Sequence, residues 1–101
     1  VDTQKLIADM KARFAHNSAK HYLKEKYTIK LQVADQGGLW KADHTTIGFL
    51  NSVTEDTVIM LDHYENLRTV DVKKLLAKLT KTYNEVMQQW NDEFKELENK
   101  R

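Results

Sequence analysis

Residues 71–98 read DVKKLLAKLTKTYNEVMQQWNDEFKELE, and the arrangement of the rest of the chain hangs on this stretch. Val72, Leu75, Leu76, Leu79, Tyr83, Val86, Met87, Trp90, Phe94 and Leu97 recur at intervals of one, three or four residues, which places them on one side of a helix. Lys, Glu, Gln and Asn occupy the other side, and neither Pro nor Gly interrupts the pattern. Asp71 stands where an N-cap carboxylate accepts from free backbone amides. A helix over 72–98 is therefore predicted. At 1.5 Å per residue it is about 40 Å long. A compact domain of this size has a radius of gyration of about 13 Å, hence a diameter of roughly 34 Å. The helix overshoots such a body, which makes Tyr83, Met87, Trp90, Phe94 and Leu97 the candidate interface, because aromatics exposed in a row mark contact surfaces. Two covers compete for that stripe. One is a second copy of the chain, and the other is the N-terminal helix laid antiparallel within the same molecule.

Working back from Asp71, the segments Leu67–Val70 and Thr57–Leu61 flank the turn residues His63, Tyr64, Glu65 and Asn66 as a predicted hairpin. The unbroken run Val58-Ile59-Met60-Leu61 has the composition of a central strand, so Leu61 is expected in the core with Leu76 and Leu79. Asp43 reads as the N-cap of a short helix, His44 to about Ser52, burying Ile47 and Leu50. Asp35-Gln36-Gly37-Gly38 is a turn, since glycine tolerates positive φ. Leu39–Ala42 returns from it to pair with Ile29, Leu31 and Val33, whose alternation with polar residues has the period of a half-buried strand. At the front, Asp2 or Thr3 caps a helix carrying Leu6, Ile7, Met10 and Phe14 at helical spacing. Asn17 and Ser18 interrupt it, and Ala19, Tyr22 and Leu23 either extend it or start a second helix ending near Lys26. The expected fold is α+β: N-terminal helix or helices, a small mainly antiparallel sheet with hairpins, and a long closing amphipathic helix, all in a single domain over 1–101.

Composition narrows the function classes. Lys and Arg number 16 against 15 Asp and Glu, a net charge of +1 that does not by itself call for a polyanionic partner. The charges are segregated, however. Lys5, Lys11, Arg13, Lys20, Lys24, Lys26 and Lys30 crowd the first thirty residues, whereas Glu85, Asp92, Glu93, Glu96 and Glu98 lie towards the end. A basic front and an acidic tail can meet within one molecule or between copies. The chain has no cysteine, which excludes disulfides and thiolate metal sites. No segment approaches the ~20 apolar residues of a membrane span, and the front lacks a signal-peptide core. The expected setting is cytoplasmic or virion-associated. The sequence starts at Val1, so an initiator methionine or a longer leader is expected ahead of it.

No catalytic constellation emerges. His16 and His21 are five residues apart, off the spacing of a helical metal pair. His44 and His63 each follow an aspartate placed where a cap or turn needs one. Ser18 and Ser52 lack the Gly-x-Ser-x-Gly setting of a nucleophile elbow, and Gly37-Gly38 lacks the further glycines and lysine of a phosphate loop. The expectation is a non-enzymatic protein with no cofactor and no metal. The rival reading is a nucleic-acid-binding accessory protein, in which Lys20, Lys24, Lys26 and Lys30, interleaved with Tyr22 and Tyr27, follow a phosphate backbone.

From residue 36 onward the order of features resembles a phage domain of unknown function that accompanies tail-fibre assembly proteins. Trp40, Ala42 and Asp43 precede the short helix bearing Thr46 and Leu50. Asp62 and Asn66 form the later turn, and Val70 leads into Leu75, Leu79 and Tyr83. The chain departs from that family at Val58–Leu61, where a tryptophan-containing strand is expected. The resemblance implies an α+β fold, no catalytic residues, and a role as a virion accessory or tail-assembly factor. Together with the candidate interface it leads to the expectation of a homo-oligomer, a dimer first, with another virion or assembly protein as a possible partner and no membrane contact.

Overall fold

The computed structural model describes residues 3–100 and has an α+β architecture. Helix α1 (Thr3–Lys30) leads into a hairpin of β1 (Gln32–Asp35) and β2 (Gly38–Lys41). Helix α2 (His44–Ser52) follows, then a second hairpin of β3 (Thr57–Leu61) and β4 (Leu67–Asp71), and finally α3 (Val72–Asn99). The strands form two separate two-stranded antiparallel sheets rather than the single sheet expected. The molecule is long and narrow, 65 × 24 × 20 Å with a radius of gyration of 19.2 Å, well above the ~13 Å of a compact chain of this size.

The two hairpins and α2 are packed around the first half of α3. Val33 and Trp40 of the first hairpin, Ala42, Leu50 of α2, Val70, and Val72, Leu75 and Leu79 of α3 make one buried cluster, with Leu76 and Tyr83 partly buried at its margin. Both caps are formed as the sequence indicates. Asp43 accepts from the Thr46 amide at 2.9 Å and Asp71 from the Lys74 amide at 3.0 Å, contacts that typically contribute about 1 kcal/mol each.

Each turn has its own physical cause. Gln36 and Gly37 both have positive φ, 49° and 79°, which makes Asp35–Gly38 a two-residue type I′ turn matched to the strand twist. A left-handed glutamine is uncommon. Here its side chain is held like a strand partner, its Oε1 accepting from the Asp71 amide at 2.7 Å while its Nε2 donates to the Asp71 carbonyl at 3.3 Å. At Gly38 a Cβ would lie 2.8 Å from the Trp40 ring and 3.1 Å from the Asp62 Cβ, so only glycine lets Trp40 fold down there. Asp62, buried, ties the second turn by accepting from the Tyr64 and Asn66 amides, each at 2.9 Å. Those hydrogen bonds, that from Asn66 first, hold its carboxyl below the usual range.

Three expectations are corrected. Asn17 and Ser18 do not interrupt α1, and the helix runs past Lys26 through Ile29 to Lys30. Their modest propensity cost is outweighed in a segment that contains no Gly or Pro. The alternation that suggested a strand contains only three apolar residues, too few to set the period at its start, so Ile29 falls in α1 while Val33 lies in β1. Leu61 is not in the core but 59% exposed. With one neighbouring strand and one covered face, β3 alternates: Val58 and Met60 pack inward, while Ile59 and Leu61 face out opposite Thr69 and Leu67. Leu76 is only partly buried. The Asp2 alternative for the first cap lies outside the described residues.

Candidate interaction surface

Beyond the cluster around Leu79, α3 continues for about five turns as a projecting arm, and α1 lies antiparallel along it. The join is a compact set of side chains. Leu23 and Tyr27 of α1 and Val86 of α3 are buried together, with Trp90, Leu97 and Leu31 packed against them. The Tyr27 and Trp90 rings stack with centroids 6.0 Å apart and planes 11° from parallel. Glu93 clasps both ends of this contact, accepting from the Tyr27 hydroxyl at 2.5 Å and from Lys26 Nζ at 2.8 Å.

The clasp sets the ionisation of its members. Hydrogen bonds from Lys26 and then Tyr27 hold the Glu93 carboxyl below its ordinary value, against the opposing effect of desolvation. The hydrogen bond to Glu93 likewise raises Lys26 above the ordinary lysine value and Tyr27 above the ordinary tyrosine value. A carboxyl depressed in the folded state adds stability above its unfolded pKa and loses it as pH falls through the folded value. A lysine raised in the folded state adds stability below its unfolded pKa and loses it as pH rises through the folded value. The arm should therefore hold through neutral pH and loosen in acid below the ordinary glutamate range. Acid titration of the arm by hydrogen exchange should show α1 losing protection before β1–β4. In Glu93→Gln the difference between neutral and acid pH should shrink.

The five residues of the candidate interface are divided by this arrangement. Tyr83 belongs to the body, packed on its cluster with its hydroxyl 2.9 Å from His44 Nε2. Trp90 and Leu97 are half-buried against α1. Met87 and Phe94, both half-buried, flank that contact and, with Trp90 and Asn91, line a shallow groove. So α1 covers part of the stripe within the chain and leaves one shoulder of it open.

The four lysines of the nucleic-acid reading do not form one track. At 100° per residue, Lys20 and Lys24 lie roughly 120° around α1 from Lys26 and Lys30. Lys26 is bound by Glu93, and Lys30 stands 5.0 Å from the centre of the Tyr27 ring.

What sequence reasoning missed is the exposed side of α1. Leu97 and Lys100 at the end of α3 border Ala12, Ala15 and His16. Residues 3–11 therefore reach past the last turn of α3, an overhang of roughly 13 Å. Over this end Leu6, Ile7, Met10 and Phe14 are 51, 47, 61 and 74% exposed. On a straight helix their stripe lies roughly opposite the Leu23–Tyr27 face. The signal was present, since the four residues were legible as one helical face. Nothing local says whether such a face meets its own chain.

The depression between the two hairpin turns contains Asp62, bound by turn amides, and Arg68, whose Nε donates to the Gly37 carbonyl at 3.2 Å. Among the described residues no group of three or more His, Cys, Asp or Glu is placed to hold a metal ion. Among them, too, no helix is long and apolar enough to cross a membrane. Compared with known proteins, the chain matches no family model, no curated protein and no solved structure significantly.

Proposed function

We infer that this chain is a non-enzymatic binding or structural protein that works as a homo-oligomer, a dimer first, through its α1–α3 arm. The observation that carries the reading is the arm itself: a helical hairpin projecting from a small body, with four large apolar side chains from 47% to 74% exposed near its tip. At roughly 200 Å2 per large side chain these four leave roughly 450 Å2 of apolar surface in water. That falls in the middle of the ~300–600 Å2 range of the largest patch on a typical monomer, a patch that is often functional. The resemblance of residues 36–101 to a phage tail-assembly-associated domain supports a finer reading, a virion accessory or assembly factor in the cytoplasm or the particle.

The nucleic-acid alternative has less support. Two of its four lysines are engaged by Glu93 and by the Tyr27 ring, and the four do not share a face. Sedimentation velocity over a dilution series tests the main reading. Association should appear at micromolar concentration, since part of the gain from apolar burial is offset by lost rigid-body freedom. A parent protein that stays monomeric at high micromolar concentration, yet binds generic DNA or RNA with steep salt dependence, would transfer the function to the alternative.

A further inference from the structure

We draw no further inference here: the strongest candidate, the exposed apolar stripe Leu6, Ile7, Met10 and Phe14 on the overhanging end of α1, belongs to the surface already described, and nothing in the structure shows what covers it.

Discussion

Replacing Leu79 with alanine should cost about 2–5 kcal/mol, read as a lower denaturation midpoint at unchanged slope. Leu79 is fully buried and sits where α3 meets both hairpins and α2, in a cluster whose other buried members number seven. Removing its isobutyl group leaves a cavity between elements that have little freedom to close in. The Gln36–Asp71 amide pairing and the Trp40–Gly38 contact already fix the hairpin positions. Small domains have only about 5–15 kcal/mol in total, so the variant should be close to unfolding. Leu61→Ala provides the control. It removes the same atoms from a side chain 59% exposed and should change stability by no more than about 0.5 kcal/mol. A Leu79→Ala loss below about 1 kcal/mol would mean that the buried face of α3 has been assigned to the wrong residues.

The second large effect is expected at Tyr27, and it should be local. Replacing Tyr27 with alanine removes the stack on Trp90, the hydroxyl bond to Glu93, and most of the buried cluster that holds α1 to α3. Nothing else described along residues 3–22 buries a large side chain against the arm. Isolated helices in water are marginal because nucleation is costly and propagation only slightly favourable. Amide exchange across α1 should therefore accelerate by orders of magnitude, while amides of β1–β4 and the first half of α3 keep their protection. The two halves separate because the Leu79 cluster and the Tyr27 cluster share only Leu31, which packs against both. Equal loss of protection in both halves would show that arm and body fold as one cooperative unit. Tyr27→Phe keeps the ring and loses only the hydroxyl, so it should retain most of the protection of α1.

Much of this molecule was legible before any coordinates. The stripe Val72–Leu97 dictates α3 because an uninterrupted pattern of threes and fours over seven turns fits no other backbone period. Asp43 and Asp71 mark helix starts because a short carboxylate is the simplest way to satisfy free amides. Asp35–Gly38 marks a turn because glycine tolerates positive φ, as Gly37 shows, although the positive φ of Gln36 was not legible. These features are local: the residue and its reason lie within a few positions of each other. What failed locally were short patterns, such as Ile29–Val33, in which three alternating apolar residues are too few to fix where a helix ends and a strand begins. The run Val58–Leu61 failed for a different reason. Its residues show that a strand forms, but only the number of sheet layers decides whether one face or two are covered, and here a lone hairpin covers one.

The candidate surface divides the same way. Apolar faces on α1 and α3 are written in their spacing, but which face meets which is a property of the tertiary structure. Tyr27 and Trp90 are 63 positions apart, and Lys26 and Glu93 are 67 apart. Their pairing follows from where two hairpins and a short helix set the end of α1 relative to the start of α3. That placement turns α1 so that Leu23 and Tyr27 cover part of the α3 stripe, and it thereby commits Leu6, Ile7, Met10 and Phe14 to the outside. Helical periodicity fixes the angle between those two sets of side chains. Packing alone selects which set is buried, because a single helix neighbour can cover only one side of α1.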